Sequence, residues 1–300
     1  MPGNIHNASK FNDAAIIPDC HTTSQKHYNR NMPSITNDLL RPMTAGNGHL
    51  ETFEGSTLKL VLDPQPRGYS LAQADDYHAL PRSDFYWRPP LRLSLRAHAS
   101  TQKPMGTLGF GFWNDPFSLS IGQPGAARRL PTSPQALWFF FGSPPHDLAL
   151  APPVPGYGWK AAVLRSPSIP GLILAPAALA AMGAAQIPLI RRWVMNTAIR
   201  AVDAEEAVID VQLDSPHDYE ILWKQDSVEF YVDGSQALRS EVVPPAPLGF
   251  VTWIDNQYAI ASPESGFRFG VLPTQKPQAL TISKLQINDT ALSLAELVEA

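Results

Sequence analysis

Between His217 and Asn256 the chain carries two short runs, YEILW and SVEFYVDG, followed after a proline-rich turn by a third, LGFVTWIDN. In the first, Tyr219, Ile221 and Trp223 share one face while Glu220, Leu222 and Lys224 share the other, the period-two pattern of a half-buried strand. In the second, Val228, Phe230 and Val232 alternate with Glu229, Tyr231 and Asp233. Gln225-Asp226 supplies the turn between them and Asp233-Gly234 the next, since aspartate followed by glycine readily reaches positive φ. An antiparallel hairpin is the element around which the fold must be built.

Further runs repeat the pattern: LKLVL, LRLSLRA, TLGFGFW, ALWFFF, WKAAVL, AVIDVQL, GFVTWI and LTISKLQI. In LRLSLRA, Leu91, Leu93 and Leu95 point one way and Arg92, Ser94 and Arg96 the other. With 30 prolines and 19 glycines among 300 residues, turns are dense, and proline is excluded from central ladders. Many strands without alternating helices predict an all-β, antiparallel jelly-roll β-sandwich. The polar, aperiodic residues 1–50 read as a mobile N-terminal arm, and residues 51–300 as a single sandwich domain.

HDYEILWKQDSVEFYVDG resembles the strand pair of concanavalin A-like lectin/glucanase sandwiches, especially family 16 glycoside hydrolases. GTLGFGFWNDPF at 106–117 resembles another strand of that group, and the resemblance runs from about Leu58 to Ile287. It implies a sandwich with a ligand-binding concave sheet. Family 16 enzymes use a Glu-x-Asp-x-x-Glu strand, because retaining chemistry needs two carboxylates roughly 5 Å apart across the scissile bond. This chain has no such motif; the strand expected there reads ALWFFFGSPPHD. Glu205-Glu206 does not replace it, since neighbours on a strand point to opposite faces. Ordinary family 16 catalysis is therefore not expected.

One segment breaks the strand pattern. Residues 175–204, APAALAAMGAAQIPLIRRWVMNTAIRAVDA, are rich in helix formers, and Pro188 suits the first turn of a helix. Two helices are predicted, at 176–186 and 188–203. On the second, Leu189, Trp193, Asn196 and Arg200 form one stripe and Ile190, Val194, Thr197 and Ala201 its neighbour. The insertion either packs on an outer sheet face, or covers the concave sheet as a lid over a partly apolar pocket, or serves a dimer or membrane surface.

Two Trp-x-Asp units, Trp113-Asn114-Asp115 and Trp253-Ile254-Asp255, put an indole and a carboxylate on the same side of an extended strand. Aspartate at a strand end is also a turn former, as Asp115 before Pro116 illustrates. The functional reading places Asp115 and Asp255 at one mouth of the cleft as acid and base, flanked by Asn114 and Asn256, with His146 as a proton shuttle. Tyr157, Trp159 and Tyr258 lie near similar strand ends, where rings bind sugars or planar ligands. Trp138 and Trp193 complete the candidate ligand-binding rings with Trp113 and Trp253.

The formal charge of −4, with basic residues scattered, gives no footprint for nucleic acid. No apolar run is long enough to span a membrane, and with no basic-then-apolar start the reading is intracellular. Cys20 is alone, so no internal disulfide forms; His6, His21 and His27 fit no metal-ligand spacing, and no metal or cofactor is implied. Neither a nucleophile elbow nor a dinucleotide fingerprint is present. Three functions follow: a non-glucanase sandwich holding a small, partly apolar or aromatic ligand; a cyclase, isomerase or lyase on the same scaffold; and a carbohydrate binder. The partner is thus a small molecule, and oligomeric state is open.

Overall fold

A computed structural model describes residues 39–53, 57–116, 127, 129–167, 187–262 and 264–289. Its first sheet has the order β1 (Arg41–Ala45), β4 (Leu71–Asp75), β14 (Gly249–Asp255), β6 (Thr107–Trp113), β7 (Gln135–Gly142), β9 (Gly158–Arg165), β10 (Asp203–Val208). The second runs β13 (Ser235–Ser240), β12 (Val228–Val232), β11 (His217–Trp223), β5 (Leu91–Ala99), β17 (Gln278–Asp289), β3 (Thr57–Leu62), β2 (Gly48–Phe53). Every pairing within these two sheets is antiparallel. A small third sheet joins β16 (Gly266–Val271), β15 (Gln257–Ser262) and β8 (Asp147–Leu148). The fold is an antiparallel β-sandwich, the architecture that the glucanase/lectin resemblance implied.

The alternation read from the sequence explains the layers. Leu93, Leu95, Tyr219, Ile221, Trp223 and Phe230 of the second sheet meet Phe110, Phe112, Phe139, Trp159 and Phe250 of the first in one buried cluster. The founding hairpin is β11 with β12, in the register Tyr219↔Val232 and Trp223↔Val228. The next turn takes φ of 48° at Asp233 and 78° at Gly234, the pair of positive values that a tight two-residue connection requires.

Three expectations are corrected. The arm does not reach residue 50: β1 starts at Arg41, because Met43 buries itself on the first sheet and the Gly46-Asn47-Gly48 turn carries the chain across to β2 on the other sheet. The AVIDVQL strand lies earlier, as β10 over Asp203–Val208, while Ile209 and Leu213, beyond its end, plug the inter-sheet core. Of the helical insertion, the 176–186 helix falls outside the described residues. The second is α1 (Pro188–Arg200), beginning at Pro188 as expected. It ends at Arg200, short of the expected 203, and among the described residues it packs on the small third sheet: Val194 and Met195 on Ala261 of β15, and Arg191 Nη1 donates to the Glu264 carbonyl.

Candidate functional site

The outward-facing side of the first sheet is also apolar. All seven residues of β6 and all seven of β14 are buried, so both faces of these central strands are covered. Leu71, Trp113, Ala136, Ala162, Val251 and Trp253 form a second cluster there, separate from the inter-sheet core. Within it lies a cavity of about 230 Å³, walled by these strands and by Leu148, Tyr258 and Ala259 of the small sheet.

The floor is aromatic. Trp138 sits between Trp113 and Trp253, with ring centroids 5.9 and 5.5 Å away, and stacks on Phe140 at 5.8 Å and 29°. β6 makes room for these rings by alternating Phe110 and Phe112 inward with Gly109 and Gly111 outward. A Cβ on Gly109 would meet the Trp253 ring at 2.7 Å, and one on Gly111 the Trp138 Cβ at 2.6 Å. The TLGFGFW run is thus a strand with large residues on one face and two glycines at the middle of the other.

The polar groups gather at one end. The Trp253 indole N–H donates to Thr107 Oγ1 at 3.0 Å, and that hydroxyl donates to Asp255 Oδ1 at 2.7 Å. The Thr107 and Gln257 backbone N–H groups also donate to Oδ1, whereas Oδ2 accepts no hydrogen bond from the described residues. Burial outweighs these donors and pushes the Asp255 carboxyl up to about 6. His146 is 3% exposed beside Phe140, and the Ala259 N–H donates to its Nδ1 at 3.2 Å. That bond leaves the proton on Nε2, which has no partner among the described residues. Burial, helped by the Lys160 charge, pushes this imidazole down to about 4 and keeps it neutral.

Trp113, Trp138, Trp253, Tyr258, His146 and Asp255 therefore line one cavity. Asp115 does not join them. β6 and β14 pair with Trp113 opposite Gly249 and Thr107 opposite Asp255, so the two aspartates stand at opposite ends of the pair. Six strand steps alone separate those ends by roughly 20 Å. Asp115, at φ 44°, instead turns into a buried ion pair, its Oδ2 accepting from Arg129 Nη2 at 2.7 Å.

The remaining candidates are placed elsewhere. Asn114 closes backbone groups of Gln135 and Ser133, and Asn256 those of Ser70, Gly68 and Leu272. Trp159 fills the inter-sheet core, Tyr157 is exposed on a loop, and Trp193 is 71% exposed on α1. The sequence reading missed Tyr69, Gln73, Thr107, Phe140 and Gln257 as lining residues. Phe140 was recoverable, standing two residues after Trp138 on the same strand face. Gln73 lies in LAQAD, too short and too weakly patterned to read as a strand. Among the described residues no group of three or more His, Cys, Asp or Glu is placed to hold a metal ion, and no helix is long and apolar enough to cross a membrane.

No family model matches the chain, and no curated protein sequence does. Solved structures do. A transglycosylase in complex with NAG is 10% identical, covering 86% of this chain and 83% of its own, with a TM-score of 0.45. The Bacillus licheniformis β-glucanase is 9% identical over 85% of this chain and 94% of its own, with a TM-score of 0.41. A sialidase, 9% identical with a TM-score of 0.40, matches 85% of this chain, which spans 17% of the sialidase's length.

Proposed function

We propose that the outer-face cavity of the first sheet binds a small molecule with an apolar or planar body, without glucanase chemistry. The observation that carries this reading is the arrangement itself: an aromatic floor of Trp113, Trp138, Phe140 and Trp253 with its few polar groups confined to one rim. Ligand pockets have this composition, mostly apolar with a small number of placed polar groups. Retaining glycoside hydrolysis needs two carboxylates about 5–5.5 Å apart, and among the described residues lining the cavity only Asp255 carries one. A sugar-binding platform presents open ring faces, whereas Trp113 and Trp253 are 8% and 9% exposed. Native mass spectrometry of the full chain purified from its source tests the reading. A co-purifying small molecule that is lost in Trp138→Ala supports it; bare protein, together with unchanged tryptophan fluorescence across a panel of small aromatic and aliphatic compounds, refutes it.

A second reading, catalysis of a cyclase, isomerase or lyase type, draws on one observation. The Asp255 carboxyl, raised to about 6, lies in the range where a group both gives and takes protons near neutrality. Asp115 has no part in such a mechanism. With a converted substrate in hand, Asp255→Asn should lower kcat at least a hundredfold; an unchanged kcat removes Asp255 from the chemistry.

A further inference from the structure

Resting on the reading that this cavity holds a small apolar-bodied ligand, we infer that the ligand is an organic cation, a protonated amine or quaternary ammonium group bound against the tryptophans. The charge of the walls carries the inference. Three tryptophans, a phenylalanine and two tyrosines line the cavity, yet among the described residues no lysine or arginine does. Ring faces carry negative quadrupole and attract an ammonium group placed over them, most strongly where water is excluded. Among the described residues the single formal charge on the wall is the Asp255 carboxylate, whose Oδ2 accepts from none of them while three donors converge on Oδ1. A buried acid lacking a cationic partner is costly, and a cationic ligand supplies that partner. The imidazole of His146 is held neutral and adds no opposing charge. The nearest buried lysine, Lys160, is already committed to Glu206 at 2.7 Å, with both side chains buried. An anionic ligand, by contrast, would face a carboxylate and ring faces of the same sign.

The test uses two probes of nearly the same shape, choline and its uncharged carbon analogue 3,3-dimethylbutan-1-ol, titrated against the full chain by calorimetry and tryptophan fluorescence. Choline should bind about tenfold or more tightly than the alcohol, and Asp255→Asn, checked for folding by its thermal melt, should shrink that ratio by weakening choline, leaving only the preference the rings supply. The wild-type comparison stands by itself should the variant not fold. Equal affinities, or tighter binding of the alcohol, overturn the cation assignment and leave the apolar-ligand reading intact. Binding of neither probe overturns the cation assignment, while a co-purifying neutral molecule in the mass spectrum would still uphold the broader reading.

Discussion

Asp255 is a carboxylate that the fold would hold more easily as an amide. Its folded value of about 6 lies above its ordinary 3.8, so the folded state favours the protonated form. Its stability contribution is intact below about pH 4 and is lost as pH rises through 6. Two units correspond to about 3 kcal/mol. Asp255→Asn should therefore stabilise the ligand-free protein at pH 7 by up to about 3 kcal/mol, with the gain vanishing below pH 4 in urea titrations. A variant less stable than wild type at pH 7 would show that the three hydrogen bonds to Oδ1, not burial, dominate. Asp115 is the opposite case, since Arg129 answers it with side chains 2% exposed on both sides and also stacks on Phe85 and Tyr77. Arg129→Met removes this ion pair from a buried acid, and should cost about 3–5 kcal/mol in urea denaturation. The two Trp-x-Asp units are identical in spacing, and spacing reveals which face a residue takes. Which end of the sheet it reaches depends on strand direction and register, which no local pattern encodes; hence Trp113 and Trp253 were legible as neighbours and Asp115 was misplaced.

Strands whose alternation is strong were legible, and β3, β5, β6, β7, β9, β11, β12, β14 and β17 are essentially those read from the sequence. β8 has only two residues, and β15 and β16 mix Gln, Ser, Gly and Arg into their apolar positions, so the small sheet that walls the cavity gave no signal. Its support comes from a pair of distant residues. Lys160 of β9 bonds Glu206 of β10, and Glu206 Oε2 accepts from the Leu150 and Ala151 N–H groups, pinning the loop after β8 onto the first sheet. Glu206→Ala should cost about 3–5 kcal/mol and speed hydrogen exchange at Leu150 and Ala151, while exchange in β11 and β12 is slowed as before relative to global opening. On the same outward face of the sheet, Gly109 is the point where β6 yields to Trp253. A methyl there lies 2.3 Å from the Phe139 carbonyl oxygen as well as 2.7 Å from the indole, so neither neighbour gives way cheaply. Gly109→Ala should lower stability by about 1–3 kcal/mol, alter the near-ultraviolet circular dichroism of the tryptophan cluster and abolish ligand binding.

The sandwich as a whole carries buried ionisable groups that respond to pH in opposite directions. Asp76, at the end of β4, is raised to about 8 by burial, which outweighs its bonds from the Trp87 indole and the Phe250 N–H. Like Asp255, it stabilises the folded state below about pH 4, and that contribution fades as pH rises toward 8. His146, lowered from 6.5 to about 4, behaves in reverse: its contribution is full above about 6.5 and is lost as pH falls to 4. Between about pH 4 and 6 Asp76 and Asp255, joined by Asp75 that burial also raises, oppose the lowered imidazoles of His146 and His98, and from about 6.5 to 8 Asp76 goes on losing its contribution, so stability falls with rising pH over both windows. Below about pH 4 the surface carboxylates held low by cations, such as Asp218 beside Arg96, lose their partners and stability falls again. The ligand-free protein should thus be most stable near pH 4–5, which the urea midpoint at pH 4.5, 6.5 and 8 measures directly. Asp76→Asn should flatten the fall between 6.5 and 8 whatever it does to the absolute midpoint, because an amide has no proton to lose there. A midpoint that climbs from pH 4.5 to 8 would mean that neither carboxyl is as isolated from water as its burial implies. A bound cation acts on Asp255 alone: it stabilises the ionised form, so saturating choline should raise the midpoint at pH 8 more than at pH 4.5.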